Sequence, residues 1–319
     1  MILVFVESDA PDALGQEALT FGRHLSGSLG VPLAAVVIGG DPVLDRFGVF
    51  GVEIVYAAVD ERLTEFAPAA WAHAIVSVME TAGPQAVLAS GSEIGNEVMA
   101  HVAAKLDLSL AANCIAVQPG DPYLVTRQRW GGSLLEEAQL HGESKLLTVA
   151  PHALAPEETT PTSPEVRTVA VSISDDDLRV RVTRREAPEG GRISLADAPV
   201  VVGGGRGVGS AEGFRSLDAL AALLGGAVGV SRAVTNQGWR PHSEQVGQTG
   251  TRIAPELYIA CGISGASQHI VGCKASKKIL AINTDPEASI LMHADYAVIA
   301  DLHEVVPAVV EEIKRLRAS

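Results

Sequence analysis

The chain has 319 residues, of which 47% are hydrophobic and only 4% aromatic, so alanine and valine must fill the core of a two-domain protein. Its 38 acidic and 24 basic residues give a net charge of −14, which disfavours binding to nucleic acid or to an anionic membrane surface. Cys114, Cys261 and Cys273 have no metal-ligand spacing and no even count, so we expect buried, reduced thiols and no metal. Reduced thiols, and an N terminus without a basic leader or a membrane-spanning run, predict a soluble cytoplasmic protein.

Strand-like runs alternate with helical patterns along the first half of the chain, which predicts a parallel sheet covered by helices. The runs 123–129 and 133–139 predict a hairpin at the side of this sheet. The runs 166–173 and 178–183 are expected to return to it as an antiparallel pair. The other predicted strands are 2–7, 33–38, 54–59, 86–89 and 146–150, and the predicted helices are 14–29 and 68–82.

A second α/β unit follows a proline-rich surface connection at 151–164. Gly190 and Gly191 mark the predicted boundary, so the expected domains are 1–190 and 191–319, each a mostly parallel sheet flanked by helices. Asp301 and Glu304 are placed as a capping box for the closing helix. The predicted strands are 199–202, 227–230, 257–261, 279–282 and 296–300, and the other predicted helices are 211–224 and 265–272.

A glycine-rich loop at 203–210 joins a predicted strand to a predicted helix. Backbone N–H groups at the helix start would attract a phosphate, and Arg206 would add a charged hydrogen bond. The same glycines are equally compatible with a tight turn. The spacing does not match G-x-G-x-x-G, and Gly225 and Gly226 stand where an acidic residue is expected, so hydride transfer on a dinucleotide-binding fold is disfavoured.

Uncharged polar residues gather at the ends of the later strands. Ser, Thr and Gln side chains in 248–250 and 264–269 offer donors and acceptors that suit the edge of a heteroaromatic ring. His269, in company with Thr249 and Gln268, is a candidate tuning group for a redox ring, although a lone histidine would be an ordinary helix residue. Asn283 and Asp301 either contact ribose or adenine, or serve as a turn residue and a helix N-cap.

Four ordered motifs occupy the second half: Gln-Val-Gly-Gln-Thr-Gly (245–250), Leu-Tyr-Ile-Ala-Cys-Gly-Ile-Ser-Gly-Ala-Ser-Gln-His (257–269), Ile-Leu-Ala-Ile-Asn (279–283) and Ala-Asp-Tyr (294–296). With Gly-Arg-Gly and Ser-Arg before them, they resemble the α subunit of electron transfer flavoproteins over about residues 199–310; the first domain is weakly compatible. Ser267 stands where the family usually has an aliphatic residue, and Ser289 where proline is common.

The resemblance implies non-covalent FAD held by a Rossmann-like C-terminal domain, with a β subunit closing over it and carrying AMP. Thr249 would bond flavin N5, Arg232 would lie over the ring, and His269 would face flavin O2, so that these three residues would tune the redox potential of the ring. The residues implied to contact the cofactor are Arg206, Ser231, Arg232, Val246, Gly247, Gln248, Thr249, Ser264, Gly265, Ala266, Ser267, Gln268, His269, Asn283, Asp301 and Leu302.

The expected function is electron carriage rather than catalysis. The resemblance implies a heterodimer, its first domain contacting the β subunit, that takes electrons from a flavin dehydrogenase of the acyl-CoA dehydrogenase class. It would deliver them to a membrane quinone oxidoreductase. One alternative is an electron-bifurcating complex that oxidises NADH at a second FAD in the β subunit. The other is a nucleotide-binding regulatory protein without redox work.

Overall fold

The computed structural model describes residues 1–184, 193–196 and 198–318. It divides into two compact units, Met1–Arg185 and Glu186–Ser319. The boundary predicted at Gly190 and Gly191 lies outside the described residues. Within the described ranges, no helix is both long enough and apolar enough to cross a membrane.

The first unit alternates strands and helices, as its sequence pattern predicts. Helix α1 begins where the Asp12 carboxylate accepts a hydrogen bond from the Gly15 N–H at 2.7 Å, and it ends at Gly30, which is left-handed with φ 63°. The strands are Ile2–Phe5 (β1), Leu33–Ile38 (β2), Ile54–Val59 (β3), Ala86–Ser90 (β4), Leu110–Gln118 (β5), Tyr123–Arg129 (β6), Leu134–Leu140 (β7), Lys145–Val149 (β8) and Glu165–Ala170 (β9). The helices are Ala13–Leu29 (α1), Leu44–Gly48 (α2), Pro68–Ala82 (α3) and Glu93–Leu106 (α4).

These strands form one sheet in the order β7-β6-β5-β8-β4-β1-β2-β3-β9. All neighbours are parallel except β5–β6 and β6–β7, so the predicted hairpin is confirmed. Helices α1 and α2 pack against one face, and α3 and α4 against the other. Both faces of the central strands are therefore buried, as in other parallel sheets.

The predicted antiparallel pair 166–173 and 178–183 is wrong. Strand β9 pairs with β3 in parallel, and residues 178–183 form no strand. Ser174 and Asp177 close a turn after β9 through a 2.6 Å side-chain hydrogen bond. The chain then passes over the segment before α3, where the Val182 N–H donates to the Phe66 carbonyl at 2.8 Å. Residues 178–183 therefore lie beside the segment before α3 and do not extend the sheet at its edge strand β9.

The second unit is built on five parallel strands in the order β11-β10-β12-β13-β14. The strands are Val200–Gly204 (β10), Ala227–Val230 (β11), Leu257–Cys261 (β12), Ile279–Asn283 (β13) and Tyr296–Ile299 (β14). The α-helices are Phe214–Leu224 (α5), Arg232–Asn236 (α6), Ser267–Cys273 (α7) and Leu302–Ala318 (α8). The α/β class predicted from the sequence is confirmed for both units.

The two faces of the second sheet are covered differently. Helices α5 and α8 pack on one face, and α7 packs on the other beside a loop that includes Val246 and Ile253. The chain runs from β10 to β11 on one side and then returns to place β12 on the other side of β10. This reversal opens a crevice at the carboxyl ends of β10 and β12, where open α/β sheets bind ligands.

The three cysteines are buried and unpaired, as predicted. Burial raises the pKa of each thiol to about 12, so none of them is a thiolate at neutral pH.

Candidate functional site

A cleft of about 220 Å³ lies at the carboxyl ends of the second sheet. Each of the five strands contributes to it through the residues that follow or end that strand, so the sheet brings together positions nearly 100 residues apart. Its lining residues are Arg206, Gly207, Ser231, Ala233, Gly262, Ser264, Asn283, Thr284, Asp285, Ala288, Ala300, Asp301 and Leu302. Six of the predicted site residues, Arg206, Ser231, Ser264, Asn283, Asp301 and Leu302, therefore share one cleft.

The glycines after β10 allow two loops to pack backbone to backbone. The Gly205 N–H donates to the Cys261 carbonyl at 2.9 Å, and the Gly207 N–H donates to the Gly262 carbonyl at 3.1 Å. A Cβ on Gly205 would lie 2.2 Å from the Gly262 carbonyl oxygen, and one on Gly207 would lie 2.7 Å from the Gly262 Cα. Of the two sequence interpretations, packing in a tight turn accounts for these two glycines. Helix α5 begins at Phe214, three residues later than predicted, and its N-cap residue Gly213 donates through its N–H to the Ser210 hydroxyl at 3.3 Å.

Charge is unevenly distributed along the cleft. Arg206 follows β10 near one side of the sheet, whereas Asp285 and Asp301 follow β13 and β14 at the other. Arg206 is exposed, and it forms no ion pair within the described part of the chain. A ligand with phosphates at the Arg206 side and hydroxyl or amino donors at the Asp285 and Asp301 side would complement this arrangement.

Asn283 connects two of the loops that form the cleft. Its side chain is buried; Nδ2 donates to the Ile263 carbonyl at 2.8 Å, and Oδ1 accepts from the Asp285 N–H at 3.1 Å. The amide therefore fixes the loop before Ser264 relative to the turn after β13. Its predicted role as a turn residue is present in the structure, and one amide proton and one carbonyl lone pair remain for a ligand.

Asp301 begins the closing helix at the edge of the cleft. Its Oδ1 accepts from the His303 N–H at 2.8 Å, which is the predicted N-cap, although the bond goes to the second helical residue rather than to Glu304. Leu302, the next residue, is buried beneath the cleft.

A second group of predicted residues comes together beside α7 rather than in the cleft. The Gln248 N–H donates to the Gln268 carbonyl at 2.8 Å. A Cβ on Gly272 would lie only 2.3 Å from the Gly247 nitrogen, so the loop and the helix touch through their backbones. The side chains of Gln248 and Thr249 are exposed on the outer surface of this loop. The motifs 245–250 and 257–269 are thus one contiguous structure.

His269 lies under this surface in a buried position. Its Nε2 is 2.8 Å from the hydroxyl of the fully buried Tyr258. Burial lowers the pKa of His269 to about 4, and an interaction with the Val246 backbone that falls short of hydrogen-bond geometry raises it only in part. The ring is therefore neutral at neutral pH, and it acts as a hydrogen-bonding group rather than as a cation.

The tautomer of His269 follows from its neighbour. Burial raises the pKa of Tyr258 well above its usual value, so its hydroxyl keeps its proton. Because that hydroxyl has no other hydrogen-bond acceptor among the described residues, it donates to Nε2 and leaves the ring proton on Nδ1. Nδ1 is buried and has no hydrogen-bond partner within the described ranges.

The other predicted residues lie outside the cleft. Arg232 is the exposed first residue of α6, and Ala266 and Ser267 are exposed at the start of α7. Gly265 is buried with φ 85°, and a Cβ there would be 2.2 Å from the Ile290 nitrogen. Ser267 and Ser289, the two departures from the family pattern, are both exposed, so neither removes a buried apolar contact.

Five residues that shape the site were not among the predicted set: Gln245, Tyr258, Gly262, Thr284 and Asp285. Gly262, Thr284 and Asp285 directly follow β12 and β13, so the carboxyl-end rule applied to every strand would have found them. Gln245 and Tyr258 are buried under residues of the predicted set. Their polar contacts depend on tertiary packing, which leaves no signal in the spacing.

Comparison with known proteins agrees with this geometry. A family model described as the electron transfer flavoprotein domain matches residues 2–174, more than half of the chain, and one described as the electron transfer flavoprotein FAD-binding domain matches residues 194–274.

Similar proteins named electron transfer flavoprotein subunit alpha occur in several bacteria. That of Thermoanaerobacterium thermosaccharolyticum is 34% identical over 308 residues, covering 94% of this chain and 93% of its own. That of Bacillus subtilis is 35% identical, covering 94% and 92%. That of Mycobacterium tuberculosis is 36% identical over 319 residues, covering 98% of both.

A solved structure of a putative thiamin diphosphate-dependent enzyme from Mycobacterium smegmatis aligns with 97% of this chain and 59% of its own, at 12% identity and a TM-score of only 0.26. Sequence similarity along nearly the whole chain, together with a polar cleft at the carboxyl ends of its second sheet, shows that the chain belongs to the electron transfer flavoprotein alpha subunit family and carries that family's FAD-binding domain.

Proposed function

We propose that this chain is the alpha subunit of a heterodimeric electron carrier that binds FAD non-covalently in its second unit. The beta subunit would close over the FAD and carry AMP, and residues 1–190 would contact it. The carrier would accept electrons from a flavin dehydrogenase of the acyl-CoA dehydrogenase class and pass them to a membrane quinone oxidoreductase. FAD supplies the redox chemistry, because a flavin can accept electrons in pairs and release them one at a time.

The observation that carries this proposal is the uneven charge of the cleft. A dinucleotide needs a cation for its diphosphate and acceptors for its ribose hydroxyls and adenine amino group. Arg206 supplies the first, and Asp285 and Asp301 supply the second across the same sheet edge. The residues present therefore fit FAD.

The other residues of this chain bind and orient the cofactor. Ser231 and Ser264 offer hydroxyls to the phosphates and the ribityl chain, while Asn283 and Leu302 hold the adenosine end. The loop Val246–Thr249, packed against Gln268, would meet the ring, and Thr249 and Arg232 would act at its edges. His269 would face flavin O2 as an uncharged group, because burial lowers its pKa to about 4.

Cofactor analysis of the heterodimer tests the proposal. Coexpression with the beta subunit should give a yellow complex with one FAD and one AMP, whose FAD is reduced by an acyl-CoA dehydrogenase and its substrate. Two FAD per heterodimer and oxidation of NADH would replace the simple carrier with the bifurcating alternative. A colourless complex that takes up no FAD would reject the redox function and favour a regulatory nucleotide-binding role.

A matched pair of variants ties the binding to the cleft. Arg206→Gln should weaken FAD binding, whereas Arg215→Gln, at an exposed position on α5 outside the cleft lining, should leave it unchanged. Equal FAD affinity in the two variants would place the diphosphate elsewhere.

A further inference from the structure

Gln245 is a buried amide that lies directly behind the exposed Thr249. It is only 2% exposed. The Thr235 hydroxyl is 2.7 Å from the Gln245 Oε1, closer than its 3.0 Å to the Arg232 carbonyl, and it donates to Oε1. The Gln245 Nε2 donates to the Thr249 Oγ1 at 3.0 Å. The amide therefore links α6 to the outer surface of the loop that contains Thr249.

The loop backbone is held without this amide. The Thr251 N–H donates to the Gln245 carbonyl at 2.7 Å, and the Val246 N–H donates to the Val230 carbonyl at 2.9 Å. Just before the loop, the Arg240 guanidinium is bonded to both Asp218 and Glu244. The side-chain amide of Gln245 is thus free to act on the side chains that it contacts.

The amide fixes which way the Thr249 hydroxyl points its proton. A hydroxyl has one proton and two lone pairs, and here the oxygen already accepts from Nε2. The Thr249 proton has no acceptor among the described residues, and the side chain is exposed. The proton is therefore directed away from Gln245, toward whatever covers the loop.

We propose that Gln245 is a positioning residue that makes the Thr249 hydroxyl a hydrogen-bond donor to the FAD ring. This inference rests on the proposed function, which puts the ring over this loop. Without the amide, the hydroxyl can turn and donate inward or to water, and the ring loses a fixed donor. A fixed donor favours electron density on the ring, so Gln245 raises the affinity of the FAD for its first electron.

The test is a redox titration of the FAD-loaded heterodimer. Gln245→Met keeps the length of the side chain and removes both hydrogen bonds. It should reduce the equilibrium constant for adding the first electron by about fivefold, the effect of one neutral hydrogen bond, which is roughly 40 mV for one electron. Gln237→Met makes the same change at an exposed position beside α6 and should leave the potential unchanged.

A double-mutant cycle separates positioning from a general structural effect. In a Thr249→Val background the hydroxyl is gone, so Gln245→Met should change the equilibrium constant by less than about twofold. The inference would be overturned if Gln245→Met had the same effect in both backgrounds, or if it did not change the potential at all. In either case, a heterodimer that still binds FAD would leave the proposed function intact. A wild-type heterodimer that binds no FAD would reject both.

The hydrogen bond can also be observed directly in the wild-type complex. One proton of the Gln245 side-chain amide should exchange slowly with solvent, and Thr249→Val should accelerate it. Exchange that is the same in both proteins would overturn the inference even if the Gln245→Met variant does not assemble.

Discussion

Replacing His269 with glutamine should reduce the loss of unfolding free energy that the second unit undergoes as the pH falls below 7. Burial lowers the pKa of His269 from 6.5 to about 4. The unfolded chain therefore binds a proton more readily than the folded one, and the stability present above pH 7 is lost as the pH falls toward 4. One pKa unit corresponds to about 1.4 kcal/mol, so this shift predicts a loss of roughly 2 kcal/mol between pH 7.5 and pH 5.

Hydrogen exchange of the β12 amides, measured by mass spectrometry and corrected for intrinsic rates, reports the unfolding free energy of this unit at each pH. The wild type should lose about 2 kcal/mol over this range relative to His269→Gln. The matched variant His303→Gln, at an exposed position on α8, should follow the wild type. Two identical profiles for wild type and His269→Gln, or a His269 ring that titrates near pH 6.5 by NMR, would refute the reasoning.

Three further substitutions test the packing and the cleft. Gly205→Ala places a Cβ 2.2 Å from a backbone oxygen and should lower the unfolding free energy by about 1–3 kcal/mol. Gly27→Ala, where the new Cβ on α1 meets open space, should not lower it. Equal losses for the two variants in a denaturation assay would contradict the packing argument. Arg206→Gln should weaken FAD affinity about tenfold or more in equilibrium titration, with thermal stability unchanged, because a charged hydrogen bond contributes about 1.5–3 kcal/mol. An unaltered affinity would count against placing the FAD diphosphate at Arg206. Asn283→Ala removes the donor to the Ile263 carbonyl and should lower stability by about 1–3 kcal/mol, while a neutral result would mean that water replaces the amide.

Repetitive patterns made much of the fold predictable. The boundaries of β2, β3, α3, β11 and β12 coincide with those read from apolar runs and from Gly or Pro at their ends. The stretch from 91 to 122 gave no prediction, yet it holds α4 and β5. Helix α4 opens with a Ser92 cap, but β5 has a register shift between Ala111 and Cys114, which breaks the alternation that marks a strand.

The site was predictable where a residue follows a strand, and less so where it depends on packing. Arg206, Ser231 and Asp301 lie in the cleft because parallel strands share one carboxyl edge. The neutral state of His269 could not be read from its sequence neighbours, since it results from burial, which lowers the pKa of the ring to about 4. Gln245 belongs to the motif 245–250, but its contact with Thr235, ten positions earlier in the chain, is made by tertiary packing.

The close approach of Tyr258 to Gly203 means that two distant positions cannot vary independently. A Cβ on Gly203 would lie 2.2 Å from the Tyr258 hydroxyl oxygen, so any larger residue there must displace the ring that fixes the His269 tautomer. The first glycine of the loop 203–210 thus leaves room for the hydroxyl that bonds a histidine 66 positions later in the chain. Gly203 should therefore be inherited together with Tyr258, and an engineer who alters one should redesign the other.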